Sequence, residues 1–482
     1  MILSKNRSWI FFVFVALFAV TASTVLFFAF GYRYSFERGI FIYSGSVTIK
    51  TIPETVSIEI DGESIPKKRL GLLNNSVHIT GLMPGEHTLR LTAPDHAAWE
   101  KQVVIESGIS REFWNIILPR TDYPLTPLSA SEHVVKIFPH PSNDNNFVFV
   151  KELSQETSLA FFDYTRGESQ QVFSLQNSQY DPNTTENLEW SWFEDGRYVI
   201  LPLTHKGMLK HFIIDTSDGS FFSLEERFAI NNIRTVRWNT ENTKELLFLS
   251  GTTLYQFSLE ETLPPQAINE EVLTYSFADD TLYFVGNQGQ VWEDQENRLV
   301  TITPIIPFAK DTALSLIVYE RDRLAVQELT GARRLFMIYP SPNDRLPTIK
   351  ELASNVKTVQ FSNDGKKLLF ATDHEISVAF ANDWEVQPRR QTGDIVQVAR
   401  FSDKINNGQW AENYEHVIFS RGNTIKFIEL DGRGHRVLAD ITALQESPTQ
   451  ILPHFSTNQF LILNSTGVAT FTFPEPQGLF GQ

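Results

Sequence analysis

The sequence contains no cysteine. Disulfide scaffolds, thiolate-held zinc and cysteine nucleophiles are therefore excluded together. Positive charge is also short, with 41 Lys and Arg against 57 Asp and Glu and a formal net charge of -16. A nucleic-acid binder needs a basic stripe along the phosphates, and none is visible, so no nucleic-acid partner is expected. The same deficit disfavours docking on anionic headgroups. Motifs of chemistry are missing as well. There is no Gly-x-Ser-x-Gly elbow, no Gly-Lys-Ser/Thr phosphate loop and no His-Glu-x-x-His helix. The 11 histidines are scattered, with no pair at metal-ligand helical spacing. No catalytic residue, cofactor or metal is expected, and the protein reads as a non-enzyme. Carboxylate pairs such as Glu225-Glu226, Glu260-Glu261, Glu270-Glu271 and Asp279-Asp280 have no ligand-type spacing and read as solvated faces.

One long hydrophobic run is present. From Trp9 to Phe30 no residue is charged, and the stretch is long enough to cross a hydrocarbon core as a helix. Trp9 at one end and Tyr32 and Tyr34 at the other suit the two interfacial belts. A cleaved signal peptide is the rival, but its apolar region runs only about 7–15 residues. Residues 1–8 are read as a cytoplasmic N-terminus and 9–30 as a transmembrane helix whose partner is the lipid bilayer. Lys5 and Arg7 on one side nearly balance Arg33 and Arg38 on the other, so charge alone does not orient the span. A single-pass protein of the cell membrane, with its C-terminal bulk extracytoplasmic, is the expectation.

Beyond the run, the chain is rich in Phe (38 residues) and in β-branched residues, which favours strands. Residues 45–120 show short alternating runs at Ser46–Lys50, Val56–Ile60, His87–Leu91 and Gln102–Ile105, separated by turns at Asp61-Gly62 and Pro84-Gly85. Thr51-Ile-Pro-Glu-Thr-Val-Ser-Ile-Glu-Ile-Asp-Gly62, then Ile79-Thr-Gly-Leu-Met-Pro-Gly-Glu-His-Thr-Leu-Arg-Leu91, then Trp99, resembles a PEGA domain. That resemblance implies a small β-sandwich module of a bacterial surface or envelope protein.

The remainder is organised around Thr358-Val-Gln-Phe-Ser-Asn-Asp-Gly-Lys-Lys-Leu-Leu-Phe-Ala-Thr372, which reads as strand, tight turn, strand. Related units occur at 134–150, 188–202, 233–250, 272–286, 396–420 and 450–464, with a weaker one at 313–329. Anchoring on Phe138, Trp192, Trp238, Phe277, Phe361, Phe401 and Phe455, the repeat averages about 45 residues, as a four-stranded propeller blade requires. Residues 132–475 are thus read as a β-propeller of eight blades, with seven as the alternative. The pattern resembles WD-repeat-like and TolB-like propellers, without their Trp-Asp and Gly-His signatures. Residues 121–131 are a linker, or a strand supplying the missing edge of the final blade through Pro124-Leu-Thr-Pro-Leu128. The fold class is all-β: one transmembrane helix, a PEGA-like sandwich, then the propeller.

The expanded turn Asp403–His416 is the one candidate ligand-binding loop. Asn407, Gln409, Trp410 and Tyr414 combine flat apolar faces with amide hydrogen-bonders, as a sugar or peptide surface does. The rival reading is that these aromatics pin a long loop onto the propeller. Three functions remain open: a membrane-anchored binder of protein, peptide or cell-wall glycan, an envelope hydrolase or lyase, and a scaffold subunit. Charged groups converging at the channel mouth would favour the enzyme, and a contiguous apolar patch the scaffold.

Overall fold

The computed structural model describes residues 3–35, 39–66, 76–140, 145–181, 189–190, 197–239, 244–260, 263–278, 280–295, 298–341 and 346–473. Trp192 and the end of the propeller segment past 473 lie outside them. The helix Leu3–Ala29 contains one stretch, Trp9–Ala29, long and apolar enough to cross a membrane, and none of that stretch is buried against the rest of the chain. A short hairpin, Tyr32–Ser35 with Ile40–Tyr43, follows it.

Two sheets then face each other. Gly45–Ile52 lies between Val77–Leu82 and Ser110–Ile117, antiparallel to the first and parallel to the second. The second sheet is Glu63–Ser64, Ser57–Ile60, Gly85–Thr92 and Trp99–Ile105 in spatial order. Alternation drives the arrangement: in Trp99–Ile105 every other residue is buried, placing Trp99, Lys101, Val103 and Ile105 on the inner side. Val47, Ile49 and Phe113 from one sheet and Ile58, Leu91 and Trp99 from the other share a core. His87 joins the two quoted segments of this module, with Nδ1 2.6 Å from Asp61 Oδ2 and Nε2 2.7 Å from the Met83 carbonyl.

Among the described residues, eight sheets follow in chain order, spanning 134–176, 178–223, 233–269, 272–301, 314–353, 358–400, 405–443 and 450–472. Each is an antiparallel sheet whose first strand starts where the preceding sheet ends; in the second, Ser178–Gln179 and Glu189–Trp190 together take the first-strand place beside Tyr198–His205. The fold is a β-propeller. Its apolar residues form one wedge between each pair of neighbouring sheets, for example Leu369, Val378, Trp410 and Phe419 between the sixth and seventh. The last wedge joins Leu461, Leu463 and Val468 of the eighth sheet to Ile137, Phe147 and Phe149 of the first. Burying each such side chain contributes roughly 1.5–3 kcal/mol, so each sheet depends on both neighbours.

The eighth sheet draws its fourth strand from far upstream: Thr126–Pro127 pairs with Thr470 and Ala469. This is the edge strand expected from the Pro-Leu-Thr-Pro run, and it leaves no open end between first and last sheets. One unit differs from the sequence reading. The seventh sheet starts at Ile405–Trp410, not at the run ending in Phe401, because Ile395–Arg400 is the outer strand of the sixth sheet. Trp410, not Phe401, therefore holds the place that Phe361 holds one sheet earlier.

Strands alternate in direction, so the two faces of the propeller carry different turns. On one lie the turns between first and second strands and the connections between third and fourth. On the other lie the turns between second and third strands and the crossings to the next sheet. The sandwich module sits against the first of these faces, which is called here the module face. The opposite one is the far face.

Candidate functional site

Among the described residues, polar groups gather at the seam between module and propeller and at a cavity on the far face. At the seam, Lys101 of the module is fully buried, with Nζ 2.5 Å from Glu429 Oε1 at the end of the third strand of the seventh sheet. It also donates to the Asp431 carbonyl at 2.7 Å, and Trp99 Nε1 donates to Glu429 Oε2 at 3.1 Å. Around this pair, Arg433 donates to the Glu112 carbonyl at 2.7 Å and lies 4.0 Å over the Phe113 ring. Gln387, from the sixth sheet, accepts from the Glu112 amide at 3.2 Å and donates to the Ser110 carbonyl at 3.1 Å. Gly434 has φ +68°, and a Cβ there would lie 2.4 Å from the Gln102 carbonyl oxygen.

The electrostatics of the seam follow from burial. Desolvation pushes Glu429 above the usual carboxylate range, while Lys101 and the Trp99 and Val437 N–H groups pull it back. Asp431 is buried too, but the Arg433 bonds and the Lys101 charge outweigh that and hold it low. Behind them, the buried Lys367 ammonium is 2.6 Å from Glu415 and 4.0 Å from the Trp384 ring centroid. A buried pair of this kind adds little net stability, but removing either partner alone costs about 3–5 kcal/mol. The seam therefore fixes one docking geometry.

On the far face, between the first and second sheets, is a cavity of about 610 Å³. Its walls are turns: Ser154-Gln155 of the first sheet, Asn177 at the crossing, and Lys206-Gly207 of the second. Ser154, Gln155, Asn177 and Lys206 all have positive φ, a conformation rare for residues with side chains. Among the described residues, the side chains of Gln155, Asn177, Gln179 and Thr204 make no hydrogen bond within the chain, and Lys206 stands exposed beside them. Glu152 and Glu156 are occupied, the first by the Tyr180 amide and the second by Ser174 and Gln176. Burial raises Glu152 above the usual carboxylate range, against the Tyr180 hydrogen bond. His205, beside Thr204, is held below the usual imidazole range by burial, then by Lys206 and Lys210. Leu153, Met208 and Leu209 lie exposed nearby. The arrangement offers amide, hydroxyl and ammonium groups to a polar ligand beside aliphatic contacts.

The loop favoured in the sequence is elsewhere. Trp410 is fully buried, and its Nε1 donates to the Gln360 carbonyl at 3.1 Å, so the indole has no face to offer a ligand. Tyr414 is half-buried, packed between Trp410 and Phe455. Asn407 spends its amide on the Pro448 carbonyl at 3.1 Å and on Ser420, and Gln409 is half-buried in the strand. The four do not converge: along Ile405–Trp410, Asn407 bonds towards Pro448 at the crossing to the eighth sheet, while Trp410 bonds towards Gln360 of the sixth. These aromatics pin the segment to its neighbours. No cluster of three metal-ligating side chains occurs among the described residues.

No protein-family model matches the sequence, and no curated protein matches it. Similar solved structures are propellers. The Dos1 propeller is 12% identical, covering 74% of this chain and 97% of its own, with a TM-score of 0.49. BamB from Moraxella catarrhalis is 11% identical over 73% of this chain and 98% of its own, at 0.45. The Cps50 (Swd1) propeller domain of Myceliophteria thermophila is 15% identical over 72% and 99%, at 0.43. The propeller assignment here rests on the eight consecutive sheets and their closure.

Proposed function

We propose that this is a membrane-anchored, extracytoplasmic binding protein, in which a PEGA-like module holds a propeller so that its far face takes a peptide segment of a partner protein. The observation that carries the reading is the division of the faces. One is docked to the module through a buried charge pair, and the other carries a cavity with unspent hydrogen-bonding groups. The uncharged stretch Trp9–Ala29 supports a bilayer anchor. The paired Asp61 and Met83–His87 segments of the sandwich are what support the PEGA likeness.

A peptide is favoured over a glycan because, among the described residues, the cavity wall carries no aromatic face for sugar stacking, and Trp410 is buried. Amide side chains suit a peptide backbone, Lys206 suits an acidic side chain or terminus, and the aliphatic rim suits an apolar neighbour. Binding without catalysis is the corollary.

The absence of cysteine allows a direct test. Single variants Gln155→Cys on the far face and Ser217→Cys on the module face, both exposed, are labelled in intact cells with a membrane-impermeant photo-crosslinking maleimide. The expected result is labelling without lysis at both sites. A discrete protein adduct should form from Gln155→Cys alone and be lost when Thr204→Ala and Lys206→Glu are added. Labelling only after lysis would reverse the sidedness. Equal adducts from both faces, or none from the far face, would defeat the binding assignment.

A further inference from the structure

The hairpin between helix and module is more than a connection. Tyr32 faces Tyr43 and Tyr34 faces Phe41 across it, so four aromatic rings share one side. The ring pairs lie at 5.2 and 5.3 Å, and Phe27 of the helix stacks on Phe41 at 5.4 Å. Despite these contacts the surface stays open: Tyr34, Phe41 and Tyr43 remain 40%, 42% and 44% exposed, and Ile40, on the opposite side of the hairpin, 54%. Ile109 and Val104 of the module are exposed as well. Exposed aromatic area of this extent, continuous with an unburied apolar helix, calls for a covering surface.

Three features favour lipid as that surface. The patch begins in the last turns of the helix, at Phe27 and Phe28, so a bilayer that covers the helix ends where the hairpin starts. Tyrosines with an apolar ring and a polar tip are the residues that settle at headgroup depth. Arg33, on the other side of the hairpin, donates to the Phe28 carbonyl at 3.1 Å and the Tyr32 carbonyl at 3.0 Å, and lies 5.0 Å over the Phe28 ring. It therefore places a cation at the helix C-terminus, where headgroup phosphates also reach.

The hairpin is also tied rigidly at both ends. The Ser44 amide donates to the Gly31 carbonyl at 2.9 Å, the Ser107 hydroxyl donates to the Tyr43 carbonyl at 2.7 Å, and the Tyr43 ring covers Gly108. We infer that the paired strands Tyr32–Ser35 and Ile40–Tyr43 form an interfacial foot, with Tyr34, Phe41 and Tyr43 set into the headgroup layer of the bilayer. The foot fixes the height and tilt of the module, and through the Lys101 seam those of the propeller. This inference rests on the helix being a membrane span.

Depth measurement separates the two claims. The full-length protein, carrying single nitroxide labels at Phe18→Cys, Phe41→Cys or Glu63→Cys, is reconstituted in phosphatidylcholine vesicles. Collision with oxygen, which concentrates in lipid, is compared with collision with a water-soluble nickel complex. A mid-span label at Phe18→Cys should favour oxygen strongly, and the exposed module label at Glu63→Cys should favour nickel. The expected result at Phe41→Cys is headgroup depth, with nickel collision several-fold below that at Glu63→Cys and oxygen collision below that at Phe18→Cys. Nickel collision at Phe41→Cys equal to that at Glu63→Cys, with Phe18→Cys still deep, would overturn the foot and leave the anchor standing. Protection of Phe41→Cys from both reagents would assign the patch to a second copy of the chain. Nickel access at Phe18→Cys would overturn the anchor and the foot together.

Discussion

His416 opens the second strand of the seventh sheet, buried, with its ring stacked on Phe427 at 4.5 Å and Nδ1 3.0 Å from the Asn413 amide nitrogen. Burial, then the Lys101 and Lys367 charges, hold the imidazole down to about 3, against an ordinary value of 6.5. The unfolded chain thus takes up a proton near pH 6.5 that the folded chain refuses. The stability from this depressed group is complete above that pH and is lost as pH falls towards about 3. Between pH 7.5 and 5 the loss is about 2 kcal/mol. Urea titration across that window should show it in the native chain, and a His416→Phe variant should have a flatter profile by that amount. Glu415 and Glu429 are raised by burial and act in the opposite sense, and subtracting the variant profile removes them. Parallel profiles would mean that His416 takes up its proton in the fold as readily as in the unfolded chain.

At the scale of the element, closure of the ring depends on Gly467. It sits at the turn between the second and third strands of the eighth sheet with φ +129°, and an added Cβ would lie 2.7 Å from Ser131 Oγ and 3.0 Å from the Ser131 carbonyl. Ser131 Oγ also accepts from the Val468 amide at 3.0 Å, and the Leu128 amide donates to the Val468 carbonyl at 2.8 Å. Gly467→Ala adds both backbone strain and overpacking, about 1–3 kcal/mol each. Gly207→Ala, at φ +79° with nothing near its Cβ position, supplies the comparison for strain without the contact. Urea midpoints should fall further for Gly467→Ala, and an equal fall would show that the closing contact contributes nothing. The strands themselves were legible. Asn363-Asp364-Gly365 and its counterparts mark turns chemically, and alternating residues mark the strands between them. Pro124 and Pro127 marked an edge because proline has no N–H for a second neighbour. Ile405–Trp410 was not legible as a strand. Asn407, at φ +55°, sits where the pairing register shifts between Asn406 and Gln409, and the bulge breaks the alternation. The far-face cavity was equally hidden, since Gln155, Asn177 and Lys206 each read locally as an ordinary turn residue and only the approach of two sheets joins them.

For the whole molecule, the decisive contact joins residues 330 apart in sequence, Trp99 and Glu429. No local pattern signals such a pair, and Lys101 lies just before the alternating run Gln102–Ile105 that the sequence shows. Its consequence is that module and propeller behave as one body, so the far face keeps a constant orientation to the anchor. Nitroxide pairs at Glu63→Cys on the module and Ser465→Cys on the far face, both exposed, should give a single narrow distance distribution by pulsed electron resonance. Lys101→Met leaves Glu429 buried without its cation, a penalty of about 3–5 kcal/mol, and should broaden the distribution by undocking the module. Adding Glu429→Gln removes the orphaned charge while keeping one amide oxygen as acceptor for either the Trp99 or the Val437 N–H, and should restore much of the narrow peak. That recovery separates a broken seam from a merely unfolded module, because a module unfolded by loss of Lys101 packing stays unfolded when the carboxylate is neutralised. A broad distribution in the chain with native Lys101 and Glu429 would show that the propeller swings freely on its stalk. The far face would then have no fixed direction for the module to set.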